Sequence, residues 1–141
     1  MTLSLDQARA IIEGARAAGT ENGFKPLTVV ILDAGGHVIA VEREDGSSNK
    51  RFEIAFGKAH GAIALGMGSR ALMARAEQQP YFIAAVSLSA GPLIPVPGGV
   101  LIRDGEGVLV GAVGVTGDTS DNDEAAALAG IESTGLVGQP G

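Results

Sequence analysis

The chain contains no cysteine and no tryptophan. Without cysteine there is no disulfide, no thiolate nucleophile and no zinc–thiolate site. Aromatic residues make up only 4% of the sequence, so the core must be built from Ala, Val, Ile and Leu. Basic residues are also few: Lys and Arg together number 10 in 141 residues, scattered without a basic stripe, and the net charge is −6. That balance argues against a nucleic-acid partner. No apolar run escapes polar or glycine breaks for long enough to cross a bilayer, so no membrane partner is expected. The opening residues, Met1 to Asp6, show neither a basic n-region nor an apolar h-region. No signal peptide is therefore expected, and the cytoplasm is the expected location.

What is present is apolar and glycine-rich. Hydrophobic residues account for 45% of the chain, which disfavours disorder. Its length suits one domain, expected over residues 1–135, followed by a loosely ordered tail at 136–141. The 22 glycines exceed the usual share of about 7% and imply many turns and close packing.

The run from Pro92 to Glu124 organises the rest. Two Val-rich segments flank a turn at Asp104–Gly107, and the second carries glycines at 111, 114 and 117. Upstream, Ser4-Leu-Asp-Gln7 has the pattern of a capping box and opens a helix expected over 5–22. Residues 27–33 and 37–43 read as two strands joined by a Gly35-Gly36 turn. Helices are expected at 50–66, with Asn49 as its cap, and at 70–78, closed by Pro80. The segment 81–90 fits either a helical turn or a strand. Strands are expected at 92–96, 99–103 and 108–116, then a capped helix at 121–134. This order predicts an α+β domain with an antiparallel sheet covered by helices.

Several groupings invite chemistry. The Gly111-x-x-Gly114-x-x-Gly117 spacing lacks the context of a dinucleotide fingerprint, and the acidic Asp118 follows it. The acidic stretch Asp118 to Glu124 does not keep calcium-loop spacing and is better read as helix capping. Arg43, Asp45 and Arg51 surround one loop. Lys58 falls on a small-residue helical face with Ala55 and Ala62, from which it either snorkels to solvent or projects into a cleft. The two histidines, His37 and His60, differ in setting. His37 lies at a hairpin turn. His60 follows Phe56 by one helical turn, where a packed histidine competes with a titrating or iron-ligating one.

Five stretches together resemble the GlcG/HbpS-like family: Asp33-Ala-Gly-Gly-His-Val, Arg43-x-Asp-Gly, Ile54-Ala-x-x-Lys58-Ala, Pro97-Gly-Gly-Val, and Val110 to Gly117 with the downstream Asp-Asn-Asp-Glu-Ala. The resemblance covers about residues 27–131. It implies a profilin-like α+β fold with a five-stranded antiparallel sheet, assembled into homo-oligomers from tetramer to octamer. Members of that family include a secreted haem-binding redox sensor, a domain attached to corrinoid adenosyltransferases, a protein of glycolate operons, and lyases that convert 4-hydroxylaminobenzoate to protocatechuate with release of ammonia. Binders and enzymes thus share the fold, which does not decide between them.

Two functions follow from the resemblance. In the first, a lyase or deaminase acts on a compact aromatic by acid–base chemistry and requires no cofactor. Arg43 or Arg103 then anchors a carboxylate, Lys58 or His60 supplies a proton, and Asp118 or Glu53 orients water. Gly98 and Gly99 take the ring, with Gly117 and Asp118 forming the opposite rim. In the alternative, the chain binds haem or another tetrapyrrole without catalysis, through His60, Arg43 and Lys58. No metal site other than haem iron is expected in either reading.

Overall fold

The computed structural model describes residues 2–141. Helix α1, Leu5–Glu21, opens with the expected capping box: Ser4 accepts from the Gln7 amide while the Gln7 side chain accepts from the Ser4 amide. Its Ala8, Ile11, Ile12 and Ala15 are buried, one apolar stripe at helical spacing. Strands β1 (Thr28–Asp33) and β2 (Val38–Arg43) form the expected hairpin. Helix α2 spans Arg51–Leu65 and stops at Gly66, which is left-handed with φ 70°. Its cap position is Lys50 and carries no side-chain cap, so Asn49 does not take the expected role.

Helices α3 (Ser69–Gln78) and α4 (Pro80–Ala90) follow. The ambiguous 81–90 segment is therefore helical, with Pro80 at its first turn where the missing N–H costs nothing. Strands β3 (Gly99–Arg103) and β4 (Leu109–Thr116) lead into α5 (Ser120–Glu132), capped by Thr119. A short β5, Val137–Gln139, closes the chain.

The five strands form one antiparallel sheet in the order β2-β1-β4-β3-β5. One face packs under α1 and α5, around Ile11, Val29, Ile31, Val113, Val115 and Ile131. The other packs under α2, around Val30, Leu32, Ala55, Ala59, Leu101 and Ala112. The α3–α4 hairpin builds a smaller cluster beyond α2 from Leu72, Ile83 and Leu93. The α+β architecture agrees with the sequence reading.

Two expectations are corrected. Residues 92–96 are not a strand. They run beside α2, where Leu93 and Ile94 fill the space left by Gly61 and Gly57 and the Ile94 amide donates to the Gly57 carbonyl at 3.1 Å. The tail at 136–141 is not loose. Its Val137–Gln139 pair with Arg103–Leu101, and the Arg70 amide at the start of α3 donates to the Pro140 carbonyl. This bond meets an orphan donor at a helix whose cap residue, Gly68, has no side chain to do so.

Gly99 and Gly114 are cross-strand partners on the α2 face. A Cβ at Gly114 would overlap the Ala55 carbonyl oxygen, and one at Gly99 would overlap that of Lys58. The glycine pair is thus a groove in the sheet into which the helix backbone settles.

Candidate functional site

Lys58 does not project into an open cleft. Its ammonium donates to the Val115 carbonyl at 2.9 Å and to Asp123 Oδ2 at 3.0 Å. Both side chains are 2% exposed. Burial pushes the Lys58 ammonium below its ordinary range, and the facing Asp123 carboxylate partly offsets that. Burial likewise pushes Asp123 up, opposed by Lys58. The second oxygen of Asp123 accepts from the Asp118 amide at 2.9 Å. The pair ties α2 to the end of β4 and the first turn of α5. Gly98 lies against it, since a Cβ there would stand 2.8 Å from Lys58 Nζ.

Around this joint the structure gathers Lys58, Gly98, Gly99, Gly117 and Asp118, as the sequence reading grouped them, but as packing rather than as an open pocket. Gly98 and Gly99 are buried. At Gly117, φ is 147° and a side chain would overlap the Pro26 carbonyl. Asp118 accepts from the Lys25 amide at 2.8 Å, from Asn122 Nδ2 at 2.7 Å and from the Thr119 amide at 2.8 Å. These donors, the Lys25 amide foremost, pull its carboxyl down to about 2.

Other candidates lie apart. Arg103 is on β3 and donates to Gln139 and to the Gly107 carbonyl. Glu53 is exposed and pairs with Lys50 at 3.2 Å. His37 sits at the β1–β2 turn with Nδ1 3.1 Å from Asp33, beside a dent of about 370 Å³ shared with Leu3 and Leu109.

His60 has a different setting. Its Nδ1 lies 2.8 Å from the Pro92 carbonyl, which makes that nitrogen the donor, and Nε2 has no hydrogen-bond partner among the described residues. The imidazole stacks on Phe56 at 5.3 Å, and Phe56 stacks on Phe52 at 5.8 Å. Gly36 and Gly91 flank the ring. A Cβ at Gly91 would stand 3.4 Å from His60 Cε1, and one at Gly36 would stand 3.9 Å from Nε2. Both glycines have positive φ, 85° and 90°, and keep the ring edge bare.

This ladder runs beside the edge strand β2. Val41 opposes Val30 and Val38 opposes Leu32, so both point to the α2 face. They are 36% and 48% exposed, and Phe52 is 37% exposed. Two rows therefore run side by side, from Arg43 and Arg51 at one end to Gly36 and His60 at the other. The strip of surface between them, the slot, is apolar. Of its residues, sequence reading singled out His60 and Arg43 and noted the Phe52–Phe56–His60 spacing. It missed Val38 and Val41, whose facing depends on the hairpin register.

A family model described as haem degrading protein HbpS-like matches residues 3–132. The chain belongs to the HbpS-like family. Among solved structures, this family member is similar to PduOC in a haem complex, with a TM-score of 0.85, 22% identity and coverage of 96% of this chain and 97% of that one. It is similar to the Klebsiella pneumoniae protein ORFY, with a TM-score of 0.84, 23% identity and coverage of 96% and 92%. At those identities the likeness is one of fold. HbpS itself aligns with a TM-score of 0.79, 27% identity and coverage of 94% and 89%. No curated protein matches the chain. No helix among the described residues is long and apolar enough to cross a membrane.

Proposed function

We propose that the chain binds haem or another tetrapyrrole in the slot between β2 and α2, with His60 as the axial ligand. One observation carries the reading. A histidine that donates Nδ1–H to a backbone carbonyl and presents a bare Nε2 is arranged as metal-ligating histidines are, with tautomer and ring orientation set by the second bond. The slot suits the rest of such a ligand, because its walls are apolar and aromatic and its far end is cationic. Membership of the HbpS-like family and the likeness to PduOC, solved with haem, support the same reading.

The acid–base reading gathers less support. Of its two proton donors, Lys58 is committed to Val115 and Asp123, and only His60 reaches solvent.

Titration with haemin, followed by absorbance, tests the proposal. A Soret shift that saturates at stoichiometric protein and is lost in His60→Ala is the expected result. An unshifted Soret band, or the same shifted band in wild type and His60→Ala, would overturn it.

A further inference from the structure

The sheet carries a separate recess on the side of α1 and α5, away from the slot, at a place where two strands each hold one residue too many. Between β2 and β1, Ala40 pairs with Ile31 and Val38 with Leu32, so Ile39 has no partner. Between β4 and β3, Gly111 pairs with Ile102 and Leu109 with Arg103, so Val110 has none there. An extra residue of this kind bends its strand and re-aims its side chain. Both extra residues line the same dent, of about 370 Å³, together with Leu3 and Leu109. Leu3, Ile39 and Val110 pack with the core beneath α1 and α5, whereas Val38 and Val41 face α2.

The rim of the dent holds one carboxylate and one imidazole, those of Asp33 and His37, and among the described residues no Lys or Arg lines it. The amides of Gly35 and His37 each donate to Asp33 Oδ1 at 2.9 Å and fix the carboxylate at the turn. His37 Nδ1 lies 3.1 Å from the same oxygen and 3.2 Å from Oδ2. Oδ2 has no other partner among the described residues and keeps room to accept. The His37 amide foremost, with that of Gly35, holds the Asp33 carboxyl below its ordinary range, so it is ionised at neutral pH. The chain as a whole is also anionic, at −6. An apolar floor with a carboxylate at its rim, and no cationic side chain to balance it, is matched by a molecule with an apolar body and a positive end.

We infer that this dent binds a compact apolar ammonium, of the arylalkylamine class, with the cation on Asp33 and the apolar body on Ile39 and Val110. Its volume lies at the low end of the range for small-molecule pockets, which limits the ligand to about one ring and a short arm. The two bulges and the amide bonds to Asp33 are intrinsic to the sheet and its turn, so the site is formed before a ligand arrives. The dent is separate from the tetrapyrrole slot and does not depend on it.

Three probes of one skeleton test it: phenethylamine, uncharged phenethyl alcohol and anionic phenylacetate, titrated into the isotope-labelled full chain and followed by amide chemical shifts. The expected result is a set of shifts centred on Leu3, Ile39 and Val110, with affinity falling from amine to alcohol to carboxylate. The Asp33 side chain is 41% exposed, so the amine's advantage over the alcohol is expected at about threefold to fivefold, the upper range for an exposed ion pair. Asp33→Asn keeps an oxygen for the Gly35 and His37 amides, so it is expected to fold and to erase that advantage without changing the alcohol's affinity. Ile39→Ala is expected to weaken amine and alcohol alike. The amide spectrum itself shows that each variant is folded. Equal affinities for amine and alcohol, an advantage unchanged in Asp33→Asn, shifts centred elsewhere, or no binding of any probe would overturn the inference. Tightest binding by phenylacetate would do so too, and would make protonated His37 the anchor.

Discussion

Lys58 Nζ lies 3.0 Å from Asp123 Oδ2, across 65 residues of sequence and with both side chains almost wholly out of water. Removing one member leaves the other as an unpaired buried charge. Lys58→Met is therefore expected to destabilise by about 3–5 kcal/mol. Lys58→Met/Asp123→Asn is expected to recover at least half of that loss, because Asn keeps an oxygen for the Asp118 amide while removing the charge. Urea denaturation of the two variants beside wild type measures it. A double variant less stable than Lys58→Met would refute this account of the pair.

Asp118 gives a pH prediction. Its carboxyl is held at about 2 against an ordinary 3.8, so the folded state binds its proton less readily than the unfolded one. The stability it contributes is complete above the unfolded value and is lost as pH falls from about 4 toward 2. Asp118→Asn should flatten the decline in melting temperature across that window. An identical acid profile in wild type and variant would show that the carboxylate charge does not matter there.

The groove at Gly99 and Gly114 sets the height of α2 above the sheet. A methyl group at Gly114 would overlap the Ala55 carbonyl, so Gly114→Ala must lift the helix or strain the strand. The expected loss is at the upper end of the usual overpacking cost, about 3 kcal/mol. Gly105→Ala, at a turn where nothing lies within 4 Å of the added Cβ, is the control and should change stability little. Thermal melts of both variants decide the matter.

Phe52 contributes exposed ring surface to the slot and only part of its area to the core. Phe52→Ala is expected to weaken haemin binding several-fold. The cost in stability should stay near the 0.5–1.5 kcal/mol of one aromatic contact plus its partial burial. Haemin titration and circular-dichroism melts separate those effects, and unaltered haemin affinity would place the ligand elsewhere.

The parts legible in the sequence are those set by neighbours along the chain. The capping box at Ser4 and Gln7, the apolar stripe of α1, the β1–β2 hairpin and the acidic start of α5 are all short-range patterns, and each is found in the structure. Helical and strand periodicities also sufficed for the α+β class. The 92–96 segment misled because its apolar residues fit a strand, while their actual support is the pair of glycines in α2. Strand β5 was illegible because three residues carry almost no periodic signal and owe their form to pairing with β3.

The sequence by itself determined the residue types on which any chemistry must draw: no thiol, two imidazoles and a small set of cations. Only the tertiary structure decided how those cations are used. Lys58 and Arg51 lie seven positions apart on one helix, yet one is neutralised inside the core and the other, among the described residues, has no carboxylate within ion-pair distance and donates to Thr116 instead. That difference arises because Asp123 is delivered by α5 and Thr116 by β4. The same holds for His60, whose free nitrogen is defined by the carbonyl of Pro92, 32 residues away. Desolvation and hydrogen-bond partnership are properties of position in space, and local pattern carries no information about which distant group will arrive.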